Sequence, residues 1–114
     1  MKILIISQYF YPENFRINDL AIALKKRGHD VVVLTGLPNY PSGNYYEGYD
    51  SKKNCDEIWN DISIFRCKLY PRKKGVLNLI RNYFSFVYQA NKKYKQIKDF
   101  NFDLITKLFM KANL

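Results

Sequence analysis

The first 35 residues constrain the fold more than any other part of the chain. Ile3–Ile6 is an unbroken apolar run, the pattern of a strand covered on both faces, as at the centre of a parallel sheet. Ser7–Asn14 reads as a loop, in which Pro12 fixes one dihedral and restricts Tyr11 before it. From Arg16 to Arg27 the period changes. Ile17, Leu20, Ala21 and Leu24 fall at i, i+3, i+4 and i+7, one face of a helix. Lys25, Lys26 and Arg27 suit the negative end of its dipole, Gly28 is a natural terminator, and Asn14 is the candidate amino-terminal cap. Val31–Thr35 is a second short, β-branched run. Strand, loop, helix, glycine, strand is a βαβ unit, and its two strands are parallel.

The rest of the chain extends that unit. Gly36–Asn54 is rich in Gly, Pro, Asn and Tyr and is too long for a mere connection; loops of that length are usually functional or disordered. Glu57–Trp59 and Ile62–Cys67 read as two strands around an Asn60-Asp61 turn, a hairpin inserted into the main order. Pro71–Gly75 is a basic break. A long helix is predicted over Val76–Phe100, with Ile80, Tyr83, Phe84, Val87, Tyr94 and Ile97 as its apolar stripe and Arg81, Ser85, Lys92 and Lys95 on other faces. Phe102–Thr106 reads as a third parallel strand, followed by a short tail. The order predicts an α/β fold of Rossmann-like, three-layer αβα type with an incomplete doubly wound parallel sheet. With three parallel strands such a sheet would keep one bare edge.

Composition excludes several classes. The 114 residues suit one small domain, and an apolar content of 47% with 17% aromatics excludes a disordered chain. The first 50 residues are neutral in sum, so the whole net charge of +9 lies after them. Such asymmetry points to an anionic partner. Cys55 and Cys67 match no metal-ligand spacing. With no secretory segment apparent, they predict reduced thiols in a cytoplasmic protein. No stretch approaches the ~20 apolar residues that cross a bilayer, so any membrane contact is expected to be peripheral.

Several segments resemble a known family. Met1–Glu13 (MKILIISQYFYPE) looks like the opening of the retaining GT-B glycosyltransferases of family 4, and Leu24–Thr35 (LKKRGHDVVVLT) is similar to their L-x-x-x-G-H-x-V-x-V-x-T segment. Pro38-Asn39-Tyr40-Pro41, with Gly43 and Gly48-Tyr49, resembles the subgroup of capsule, O-antigen and colanic-acid-type polysaccharide assembly. Arg81–Phe86 resembles that subgroup's long helix, and Phe102–Ile105 the strand after it. The likeness covers residues 1–105. Two departures stand out: Glu13-Asn14-Phe15 occupies the place where many members carry a glycine pair, and residues 106–114 do not match.

The resemblance implies transfer of a hexosyl or N-acetylhexosaminyl group from a nucleotide sugar to a lipid-linked saccharide acceptor in bacterial surface polysaccharide biosynthesis. It makes residues 1–105 a truncated, acceptor-side amino-terminal domain. The donor belongs mainly to a carboxy-terminal domain that these 114 residues do not include, so the chain alone is expected to be inactive. Neither a metal nor a cofactor is implied beyond the nucleotide-sugar co-substrate. The implied location is the cytoplasm, with peripheral contact at the inner face of the membrane.

Candidate contacts follow from the strand edges. In open α/β sheets ligands bind at the carboxyl ends of the strands. Glu13, Asn14 and Arg16 lie after the first strand, where a helix amino terminus also favours phosphate. Asn39, Tyr40 and Tyr45 lie in the loop after the second and suit sugar hydroxyls and rings. Arg72, Lys73, Lys74 and Arg81 form the densest basic group and suit an anionic lipid or a diphosphate, the alternative being a solvated face over a buried aromatic stripe. His29, the only histidine, falls at the opposite strand end and is read as structural. No residue is assigned a catalytic role. A second class of function fits the charge: a non-catalytic basic α/β module binding phosphate or nucleic acid. Nucleic acid is not the expected partner, because the tyrosines cluster in one loop and do not interleave with basic residues. A nucleotide-sugar epimerase or dehydrogenase would need a G-x-G-x-x-G turn after the first strand, and that turn is absent.

Overall fold

A computed structural model describes residues 1–13, 15–38, 49, 56–68 and 74–108. The elements, in chain order, are β1 (Lys2–Ser7), α1 (Arg16–Lys26), β2 (Asp30–Gly36), β3 (Glu57–Trp59), β4 (Ile62–Cys67), α2 (Val76–Ile97), a 3-10 turn over Lys98–Phe100, and β5 (Leu104–Leu108). The five strands form one sheet in the order β3-β4-β2-β1-β5. β1 lies parallel to β2, with Ile3 opposite Val31 and Ile5 opposite Val33, and parallel to β5 on its other side. β2 is also parallel to β4, and only β3 runs antiparallel. The fold is therefore α/β with a mostly parallel sheet.

Strand alternation sends successive side chains to opposite faces. Ile3, Ile5, Val31, Val33, Ile62 and Ile64 meet Ile17 and Ala21 of α1 and the buried ring of Phe10. Leu4, Val32, Leu34 and Cys67 meet Phe86, Ala90 and Ile97 of α2 on the other face. The two-sided burial expected of β1 and β2 is thus met by one helix on each face.

Four expectations are corrected. First, the hairpin is no insertion. The turn is as predicted, with Asn60 (φ 51°) and Asp61 (φ 60°) both left-handed, the conformation that two-residue hairpins need and that Asn and Asp tolerate. But β4 joins β2 in parallel, so β5 is the fourth parallel strand and not the third. β5 also runs on to Leu108, past the predicted end. Second, Leu20 is exposed; the inward face of α1 rests on Ile17 and Ala21. Third, the cap position of α1 is Phe15, in extended conformation and without a side-chain cap bond; Asn14 lies outside the described residues. Its carboxyl end follows the sequence: Gly28 (φ 90°) donates its N–H to Lys25 and His29 donates to Leu24, a Schellman closure.

The fourth correction concerns α2. Its inward residues are Asn82, Phe86, Ala90 and Ile97, whereas Ile80, Tyr83 and Phe84 are exposed. The first three turns are apolar almost all round, so periodicity alone does not choose the face. The polar ends of Gln8 and Tyr9 draw Asn82 inward and thereby fix the rotation. Among the described residues, no helix is long and apolar enough to cross a membrane.

Candidate functional site

Parallel strands bring their carboxyl ends to one edge. Ser7, Gly36 and Cys67 end β1, β2 and β4 there, so the segments that follow all three depart from the same edge. Because β4 belongs to the parallel set, the chain leaves its last strand before α2 at that same edge.

The loop after β1 folds back tightly. Phe10 is fully buried and meets Trp59 edge-on, and Tyr11 stacks on Trp59 with ring centroids 4.3 Å apart. Tyr9 stacks on Phe15 at 5.3 Å, and the Tyr11–Pro12 peptide is cis. Glu13 is fully buried: its backbone N–H donates to the Phe10 carbonyl at 2.9 Å, and its Oε1 accepts from the Phe10 N–H at 3.4 Å. Its carbonyl accepts from Asn18 at 2.8 Å. The Glu13 carboxylate therefore organises the loop from within. Arg16, at the start of α1, is exposed.

Arg66 is the centre of this edge, and sequence reasoning missed it. It sits one residue from the end of β4, and its side chain is fully enclosed. Its guanidinium donates to the Tyr11 carbonyl, to Glu57 Oε1 at 2.7 Å and to the Gly36 carbonyl at 3.5 Å. The Tyr49 ring lies 4.9 Å from the guanidinium carbon, and the Tyr49 hydroxyl donates to the same Glu57 oxygen at 2.8 Å. Burial, followed by that hydrogen bond, pushes the Tyr49 hydroxyl up to about 12. One cation thus ties the loop after β1, the end of β2, Tyr49 from the loop after β2, and β3. Among the described residues, the guanidinium Nε has no hydrogen-bond partner, and neither does the hydroxyl of Thr35, also buried near the end of β2. The available signal was a lone arginine in the apolar strand Ile-Ser-Ile-Phe-Arg-Cys.

A second polar cluster joins the edge to α2. Asn82 Oδ1 accepts from the Tyr9 hydroxyl at 3.2 Å and from the Gln8 amide, and Ser7 Oγ donates to the Tyr9 carbonyl at 2.7 Å. Asp56 connects the opposite flank: it accepts from the Arg66 backbone N–H at 2.9 Å and pairs with Lys93 of α2 at 3.0 Å. Cys67 is a free thiol in the core, which burial pushes up to about 12.

Among the other residues singled out by sequence, Lys74 and Arg81 are exposed, at and just after the start of α2. Asn14, Asn39, Tyr40, Tyr45, Arg72, Lys73 and Cys55 lie outside the described residues. His29 lies just before β2, at the amino end of the sheet, with its Nδ1 3.1 Å from the amino-terminal nitrogen. A groove of about 330 Å³ opens elsewhere, on the α2 face beside β5, between Ile6, Phe86, Ala90, Tyr94 and Ile105. It is mostly apolar, with Asn91 and Lys107 at its border, and the described candidate site residues Glu13, Arg16, Lys74 and Arg81 do not line it. Among the described residues, no three His, Cys, Asp or Glu side chains group as metal ligands would. Comparison with family models, with curated proteins and with solved structures gave no match.

Proposed function

We propose that the chain is the acceptor-side domain of a GT-B glycosyltransferase of the family 4 type, with its sheet the start of a Rossmann-like, doubly wound arrangement. It would contribute to the transfer of a sugar from a nucleotide sugar to a lipid-linked saccharide in surface polysaccharide assembly. One observation supports the reading: β1, β2 and β4 end at one sheet edge, and in sequence they are followed by the segments that resemble that family and by the basic run. The enclosed Arg66, bonded to Tyr11 and Gly36 and stacked by Tyr49, gives that edge a rigid cationic floor. By the same resemblance the donor sits mainly on a second domain, so the 114 residues alone are expected to turn over no nucleotide sugar.

The test is an amide chemical-shift titration of the chain with a short prenyl-diphosphate-linked sugar, against a free nucleotide sugar and a heparin oligosaccharide. Saturable shifts around Tyr9–Glu13, Tyr49 and Lys74 with the lipid-linked sugar alone support the reading. Equal shifts with heparin, falling steeply with salt, would replace it by a non-catalytic polyanion-binding module.

A further inference from the structure

The outer surface of α2 does not suit water. Leu77 (73% exposed), Phe84 (62%) and Tyr88 (63%) stand open, with Ile80 (45%) beside them. They recur at helical spacing, so they form one stripe over residues 77–88. Each helical residue turns about 100°, so Phe84 points away from the sheet that Phe86 and Asn82 face. A helix laid beside α2 in the same layer would cover its flank, but it would leave Leu77, Phe84 and Tyr88 bare. Contiguous apolar surface of this kind marks a docking site.

Charge decides what docks. α2 contains four basic residues and no acidic one. Arg81 and Lys92 follow the stripe along one side, exposed, and the Lys92 ammonium lies 5.8 Å from the Tyr88 ring centre. Apolar and aromatic side chains outward, bordered by cations that reach up along them, match the boundary between acyl chains and anionic headgroups. A protein partner would more often bring charges of both signs to such a rim.

We infer that the amino-terminal half of α2 docks on an anionic phospholipid surface. Leu77, Ile80, Phe84 and Tyr88 enter the headgroup–acyl boundary while Arg81 and Lys92 hold phosphates. The helix lies in the membrane plane, anchored from behind by Asn82, Phe86 and Ala90. This assignment stands whether or not the sheet edge binds a sugar acceptor.

Flotation of the purified chain with vesicles tests it. The chain is expected to float with phosphatidylcholine–phosphatidylglycerol vesicles and to remain below with phosphatidylcholine alone. Salt raised from about 0.1 M to about 1 M shortens the screening length from about 10 Å to about 3 Å and should weaken binding several-fold. Leu77→Ser and Phe84→Ser should each weaken it by at least about tenfold, from the apolar burial lost. Arg81→Gln and Lys92→Gln should each cost about fivefold, on the anionic vesicles only. Ile58→Ser, equally exposed but on β3, should change nothing. All these positions are exposed, so circular dichroism should be unaltered. Absence of flotation with the anionic vesicles overturns the assignment. So does flotation indifferent to Leu77→Ser and Phe84→Ser, or sedimentation showing that the stripe is occupied by a second copy of the chain.

Discussion

Replacing Arg66 by Met is the sharpest perturbation the fold offers. The side chains have comparable length, so packing is largely kept while the charge and its donors vanish. The loss falls on three acceptors: the carbonyls of Tyr11 and Gly36, and the Glu57 carboxylate. Breaking one partner of a buried ion pair costs about 3–5 kcal/mol. Glu57 discounts this, because its side chain is 31% exposed and water can reach it once the arginine is gone. The two carbonyls add back part of that discount, since a buried acceptor left without a donor costs about 1–3 kcal/mol. A net loss of about 3 kcal/mol is expected. In urea, with a slope of about 1–3 kcal/mol per molar, that is a midpoint shift of about 1–3 M. Arg66→Lys should recover less than half, since an ammonium cannot reach three acceptors spread across a planar fork. Glu57→Gln and the double variant close a cycle whose coupling term should exceed about 1 kcal/mol. A loss under about 1 kcal/mol for Arg66→Met, with no coupling, would refute Arg66 as the tie of this edge.

Three further outcomes are expected. Asn82→Leu removes the acceptor of the Tyr9 hydroxyl and the Gln8 amide and should cost about 1–3 kcal/mol by thermal unfolding; an unchanged melting point would show that the cluster does not set the rotation of α2. Burial raises Cys67 from 9.0 and Tyr49 from 10.0, both to about 12, so the unfolded chain gives up these protons first. Stability is then intact below pH 9 and falls as pH rises from 9 toward 12, by at most about 1.4 kcal/mol per pH unit per group, and Cys67→Ala should flatten the fall measured by denaturant titration. Gly28→Ala places a side chain at φ +90° and should destabilise by about 1–3 kcal/mol although nothing lies within 4 Å of the new methyl group, a case that equilibrium unfolding separates from a clash.

Residues whose neighbours are local were the legible ones. The runs of β1 and β2, the closure at Gly28 and the Asn60-Asp61 turn all depend on contacts within a few residues. The pairing of β4 depends on a strand 30 residues away, and nothing between Glu57 and Cys67 distinguishes an inserted hairpin from a sheet member. The rotation of α2 was illegible for a related reason: Ile80, Phe84 and Phe86 are equally apolar, and the choice among them rests on Gln8 and Tyr9, more than 70 residues earlier. At the candidate site the sheet edge could be read from strand direction. Arg66 could not, because its meaning lies in carbonyls of Tyr11 and Gly36 that any sequence would supply. Glu13, conspicuous as an acid in a loop, is buried, with its carboxylate accepting from the Phe10 N–H, a partner that its residue type did not announce.

The pairing of β5 with β1 sets the order in which the chain can assemble. β1, α1 and β2 are contiguous and can form as soon as residue 36 is available. The outer side of β1 waits for a partner 101 residues further on, as the Lys2 N–H bonded to Asp103 illustrates. Closing a loop of that length costs about 4 kcal/mol in chain entropy before any ladder bond repays it. On a ribosome adding about 5–20 residues per second, the open flank of β1 persists for about 5–20 s. β5 thus acts as a late clasp, and agents that compete for extended backbone, such as a strand-binding chaperone or another nascent copy, would act in that interval.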